Sequence, residues 1–130
     1  MNRSEMREQA FVLIYESEFF KDKPLDELEE IYSENIAPLS AYGKELFNGT
    51  VSLKNDIDAK IEPLLKGWKI NRISKVNLSI LRLAFFELDN MNDVPENVVI
   101  NEAVELAKKY SGKEDSAFVN GILGSYSRSK

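Results

Sequence analysis

Residues 76–88 read VNLSILRLAFFEL, and apolar side chains cover most of the circumference of the helix that this segment predicts. Val76, Ile80, Leu83, Ala84 and Leu88 recur at steps of three and four, the spacing of one helical face. Further apolar residues on either side of that face widen the stripe. A helix that is apolar on so much of its surface is buried, so the neighbouring segments are expected to pack around it.

Two further helices are predicted downstream, in VPENVVINEAVELAKKY (94–110) and SAFVNGILGSY (116–126). Pro95 suits a first helical turn, where its missing N–H costs little, and Gly112 is expected to end the first of these helices. Asp115 and Ser116 are good N-cap residues, which places the start of the last helix beside Phe118.

Three helices are predicted upstream. Helix 1 is expected from Ser4, as its N-cap, to about Phe20. Pro24 opens a short second helix, and Ser40 caps a long third helix that reaches Leu64, with Gly49 permitting a close helix crossing.

A short helical turn follows, in GWKINRISK (67–75), where we favour Trp68 as a core residue over a platform for a nucleic-acid base. No segment alternates like a strand. The pattern predicts an all-α domain of about six or seven helices over residues 1–130.

The composition excludes most enzyme classes. The chain has no cysteine and no histidine, so it has no thiolate nucleophile, no imidazole base and none of the usual zinc ligands. We therefore predict no catalytic residues, no metal site and no cofactor. With 43% hydrophobic and 30% charged residues, no long apolar run and no signal-peptide pattern, we predict a cytoplasmic protein without membrane contact.

The net charge of −5 argues against a protein that binds nucleic acid by bulk electrostatics alone, because phosphate affinity comes chiefly from Lys and Arg. Acidic residues concentrate in 26–30 and 55–62, whereas basic residues lie toward helix 1 and the carboxyl-terminal segments. Any RNA site is therefore expected to be local, or shared with a basic partner.

The strings ILRLAFFEL, VPENVVINEAVELAKKY and FVNGIL, in this order, resemble the signature of the NusB family of bacterial transcription antitermination proteins. The resemblance extends upstream through GWKINRISKV and RSEMREQAFVLIYES and is looser between Lys21 and Pro63. It implies two small packed helical bundles that form one RNA-binding domain. It also implies binding of single-stranded boxA-type RNA together with the small-subunit ribosomal protein NusE, as part of a transcription elongation complex on ribosomal RNA operons.

Two sets of site residues follow. For RNA, we predict a site that spans the start of helix 1 and the start of the last helix (helix 7). It supplies charge, hydrogen bonds and an aromatic ring through Arg3, Arg7, Lys113, Ser116 and Phe118. For the protein partner, the matching motifs imply three residues that we expect to be exposed: Tyr15, Glu18 and Asn77. Family members carry more arginine at the amino terminus than this chain, which makes a shared RNA site more important here.

Four polar residues lie within the apolar stripes of the predicted helices. Arg82, Glu87, Asn101 and Glu102 fall where burial is predicted, and we expect Glu87 or Glu102 to pair with Arg82 in a structural network.

An alternative function stays open for the chain as a whole. It is a non-catalytic protein–protein interaction module, which could be a homodimer, with weak or no RNA binding.

Overall fold

The computed structural model describes residues 1–130 and contains no strand. Its α-helices are α1 (Arg3–Ser17), α2 (Leu25–Asn35), α3 (Ala41–Ser52), α4 (Lys54–Ile61), α5 (Lys75–Asn90), α6 (Glu96–Tyr110) and α7 (Lys113–Ser129). Two short 3₁₀ turns cover Glu62–Leu65 and Ile70–Arg72. The prediction of an all-α fold with six or seven helices is confirmed.

Helix α5 is the central element. Every residue from Asn77 to Leu88 is buried, as the apolar pattern predicted. On one side α5 packs against α1 and α3, and on the other side against α6 and α7, with α4 alongside. The result is two bundles that share one helix and one core of 26 buried apolar residues.

Helix α3 crosses α5 closely at Gly49. A Cβ atom added at Gly49 would lie 2.1 Å from Cζ of Phe86, a distance that no real contact allows. The predicted role of Gly49 in a close crossing is therefore confirmed. The missing side chain is what lets the Phe86 ring lie against the α3 backbone.

Two of the predicted helix starts, those of the first and the last helix, need correction. Asn2, and not Ser4, is the N-cap of α1: its side chain accepts from the Glu5 N–H at 2.8 Å, and the Glu5 carboxylate accepts from the Asn2 N–H at 3.0 Å. Helix α7 begins at Lys113, because Gly112 (φ 152°) reverses the chain directly after α6. Ser116 therefore lies inside the first turn of α7 and does not cap it.

The predicted long third helix is divided. Leu53, with φ −101° and ψ 14°, leaves the helical region and separates α3 from α4, and Pro63 lies in the 3₁₀ turn that follows. Lys66 (φ 51°) and Gly67 (φ 96°) then turn the chain in the left-handed region. None of the helices combines the length and the apolarity that a membrane span requires.

The prediction that Trp68 is a core residue is wrong, since its surface is 64% exposed. The two left-handed residues direct the chain outward immediately before Trp68. Leu65, on the other side of that turn, is the buried residue of this segment.

Candidate RNA and partner interface

Arg7 is buried between α1, α5 and α6, where its charge is matched by two carboxylates. Its Nε donates to both oxygens of Glu87 at 2.8 and 2.9 Å, and an Nη atom lies 3.1 Å from Oε1 of Glu102. The cleft that Arg7 borders is lined by three carboxylates, Glu8, Glu102 and Glu105, against one further cation, Lys109, so its net charge does not favour a phosphate. Arg7 therefore has a structural role, with its charge already matched inside the protein.

The predicted pairing of Arg82 with Glu87 or Glu102 is also wrong. Arg82 instead forms a two-bond pair with Asp58 at 2.8 Å and lies 3.2 Å from Glu18. Each buried arginine thus has its own carboxylates. Asn101 is exposed and takes part in neither network.

Arg3 is the exposed cation at the start of α1. Its guanidinium lies 3.7 Å from the centroid of the Tyr42 ring, a cation–π arrangement. The Tyr42 hydroxyl donates to Glu87 at 2.7 Å. Burial and the hydrogen bond to that carboxylate raise the pKa of Tyr42 to about 12, so the hydroxyl stays a donor at neutral pH.

The predicted residues of α7 differ in accessibility. Lys113 is exposed, and Phe118 is half-buried against the core. Ser116 is buried, and its hydroxyl donates to the carbonyl of Lys113 at 2.7 Å, which closes the first turn of the helix. Phe118 lies in the second turn of α7 because the helix begins earlier than predicted.

The two halves of the predicted RNA site lie in different bundles. Arg3 and Arg7 meet around the Tyr42 ring, where α1 packs on α3. The α7 residues belong to the bundle of α5, α6 and α7. No hydrogen bond or ion pair joins the two groups directly.

The predicted partner residues are less exposed than expected. The Glu18 side chain is 7% exposed and lies 2.8 Å from Nζ of Lys54. Burial alone would raise the pKa of Glu18, but the bond from Lys54 and the charge of Arg82 outweigh it and lower that pKa below 4.5. Asn77 is 5% exposed, and its Oδ1 has no hydrogen-bond partner.

Tyr15 is the accessible member of this set. It is half-buried, with its ring centroid 6.3 Å from that of Phe11 and 5.0 Å from that of Phe19. Phe19 is 52% exposed and continues the row beyond the end of α1. The sequence prediction placed Phe19 inside helix 1 without assigning it a role, although its position four residues after Tyr15 was a usable signal.

These features define the class to which the chain belongs: all-α proteins in which two helical bundles share a buried central helix and carry aromatic and basic residues on the surface. Within that class the chain belongs to the NusB family, whose model matches residues 4–128.

Three relatives illustrate the match. The transcription antitermination protein NusB of Acetivibrio thermocellus is 46% identical, over 95% of this chain and 87% of its own length. The solved NusB of T. maritima is 35% identical with a TM-score of 0.86, over 98% of this chain and 92% of its own. A crystal structure of the antitermination factors NusB and NusE in complex with dsRNA matches at 30% identity with a TM-score of 0.84, over all of both chains.

Proposed function

We propose that this chain is a transcription antitermination factor that binds boxA-type RNA together with the ribosomal protein NusE. In this role it joins the transcription elongation complex and promotes transcription of ribosomal RNA operons. The observation that supports this most strongly is the likeness, over all of both chains, to the solved complex of NusB and NusE with RNA.

The accessible residues set the RNA contacts that we propose. Arg3 and Lys113 are exposed cations without an internal carboxylate partner, and Phe118 presents part of its ring. These three are the direct contacts. Arg7 and Ser116 act through the fold, since Arg7 holds the start of α1 on α5 and Ser116 closes the first turn of α7.

The charge distribution supports a partner that shares the RNA. Helix α2 exposes Asp26, Glu27, Glu30 and Glu34, an acidic face suited to a basic protein. Tyr15 and Phe19 form an aromatic row that a partner would bury, whereas the side chains of Glu18 and Asn77 are largely buried. Aromatic side chains of this kind are the usual anchors of protein interfaces.

The test is a filter-binding titration of boxA-type RNA with this chain, with NusE, and with an equimolar mixture. We expect the mixture to bind more tightly than either protein alone, and an RNA of scrambled sequence to show a smaller gain. Equal affinities for the chain and the mixture would reject the shared site.

The alternative of a protein interaction module gives a different result. In that case NusE, or a second copy of this chain, binds without any gain in RNA affinity. Light scattering of the free chain across a concentration series reports the homodimer.

A further inference from the structure

A surface cleft of about 460 Å³ lies between α7 and the 3₁₀ turn at Glu62–Leu65. Two aromatic residues, Trp68 and Phe118, and two cations, Lys66 and Arg128, line it, with apolar and small residues of α7 between them. The volume is within the range of small-ligand sites. Phe118 belongs to the RNA contacts proposed above, but Trp68, Lys66 and Arg128 do not.

The backbone holds Trp68 at the surface. Lys66 and Gly67 both have positive φ, and the Trp68 N–H donates to the carbonyl of Leu65 at 3.1 Å, which closes the turn. The indole is nevertheless 64% exposed, the highest exposure among the large apolar residues of the chain. An indole that is carried on an ordered turn and left open to solvent offers a flat face to a ligand.

The charge of the cleft sets it apart from the rest of the surface. The chain carries 22 acidic residues, yet no Asp or Glu is among the residues that line this cleft. The other clefts of comparable size each include at least one carboxylate, from Glu5, Glu8, Glu18, Glu102 or Glu105. Lys66 and Arg128 form no salt bridge within the chain.

We propose that this cleft binds an unpaired base of single-stranded RNA, which stacks on Trp68 beside Phe118 while its flanking phosphates lie against Lys66 and Arg128. Rings and unpaired cations together suit a ligand that is planar and anionic, and a nucleotide is both. The bases of a duplex are stacked on one another and do not reach the rings. This proposal rests on the RNA binding proposed above and adds a second aromatic residue to it.

The single tryptophan of the chain provides a direct probe. Protein labelled with 5-fluorotryptophan has one ¹⁹F resonance, which remains assignable when unlabelled NusE is added. We expect a boxA-type single-stranded RNA to shift this resonance in step with binding, measured separately from the anisotropy of labelled RNA. Duplex RNA of the same sequence, at equal occupancy, should shift it much less.

Substitutions test the energetics. Trp68→Ala should raise the Kd for single-stranded RNA about 5- to 150-fold, with little change in the salt dependence, because stacking is uncharged. Trp68→Phe keeps a ring and should recover part of the loss. Phe20→Ala is the matched control, since Phe20 is also an exposed aromatic residue near a lysine but borders a cleft that contains Glu18; its Kd should stay unchanged.

The cations give an independent measurement. Lys66→Gln and Arg128→Gln should each reduce the log–log salt slope of RNA binding by about 0.7, the value for one phosphate of a single strand. Circular dichroism confirms that each variant is folded.

The outcomes separate the two proposals. If RNA binds without a ¹⁹F shift and Trp68→Ala keeps the wild-type Kd, the proposal that RNA occupies this cleft is overturned, while the RNA-binding function stands. A ¹⁹F shift caused by NusE without RNA would assign the cleft to the protein partner and overturn the RNA proposal for it. Absence of RNA binding, with NusE present, overturns both.

Discussion

Arg3 and Arg7 lie one turn apart on α1 but have opposite environments. Arg7 is 4% exposed and bound to Glu87 and Glu102, whereas Arg3 is exposed and lies over the Tyr42 ring. Removal of one partner from a buried ion pair leaves an uncompensated charge. We therefore expect Arg7→Gln to lower the free energy of unfolding by about 3–5 kcal/mol in urea titrations.

Arg3→Gln is the matched control for that change. It should cost at most about 0.5–1 kcal/mol of stability, the value of an exposed cation–π contact. It should also flatten the salt slope of RNA binding by about 0.7. If Arg7→Gln unfolds at the wild-type urea midpoint, the buried pair does not stabilise the fold.

Tyr42 predicts a change in stability at high pH. Its pKa is raised from 10.0 to about 12 in the folded protein, first by burial and then by the bond to Glu87. The folded state therefore holds this proton more tightly than the unfolded state does, so the contribution is complete below pH 10 and is lost as the pH rises to 12. We expect Tyr42→Phe to make the loss of stability between pH 10 and 12 shallower, measured by urea unfolding at each pH.

Several residue environments were beyond sequence reasoning. The polar pattern correctly indicated that Arg82 and Glu87 are buried, but their partners come from α4 and α1 and depend on how the helices pack. Trp68 is exposed because Lys66 and Gly67, directly before it, both have positive φ. Of these two, only the glycine is a residue type that signals such a turn in the sequence. Burial of Arg7 was hidden because a charge near a helix start usually faces solvent.

At the scale of elements, the contact between α3 and α5 gives a sharp prediction. Gly49→Ala adds a methyl group where Phe86 already lies, and overpacking of this kind costs about 1–3 kcal/mol. The gain in helix propensity, about 1 kcal/mol, offsets only part of that cost. Thermal unfolding should therefore show a lower Tm for Gly49→Ala.

Gly121→Ala provides the comparison in α7. A Cβ atom there meets nothing within 4 Å, so only the propensity gain remains and Tm should rise. If both alanines raise Tm, the close approach of α3 to α5 does not limit stability.

The helices were predictable where the apolar periodicity was strong, but the residues at which they begin and end were predicted less well. Helix α5 and the aliphatic stripes of α6 and α7 follow directly from the spacing of apolar residues. The break at Leu53 has only a weak signal in the sequence: Ser52 and Asn55 are poor helix formers, but the apolar stripe continues across the break. Asn2 and Ser4 are both acceptable caps, but only Asn2 has a glutamate three residues later, Glu5, and this capping-box spacing was a usable signal in the sequence.

At the scale of the whole molecule, the partner surface can be tested at the end of α1. Phe19 is 52% exposed, its ring pairs with that of Tyr15, and its centroid lies 6.0 Å from Nζ of Lys75. Phe19→Ala should leave the unfolding midpoint nearly unchanged and weaken NusE binding by about 1 kcal/mol or more, measured by calorimetry. The control is Ile36→Ala at the end of α2, where the apolar side chain is 62% exposed; this change should leave that affinity unaltered.

A wild-type affinity for Phe19→Ala would move the partner surface away from this aromatic row. The acidic face of α2 would then be the next candidate, tested by charge reversal at Glu30 and by the salt dependence of partner binding.

The shared central helix has a consequence for how the protein is made. Helices α1 and α3 are synthesised first and can pack on each other, but the rest of the apolar surface that covers them belongs to α5, which ends at Asn90. At the usual rates of translation several seconds separate the two. The amino-terminal half therefore leaves the ribosome with part of its apolar surface uncovered, and the packing of α1 on α3 can bury only the rest until two-thirds of the polypeptide has emerged.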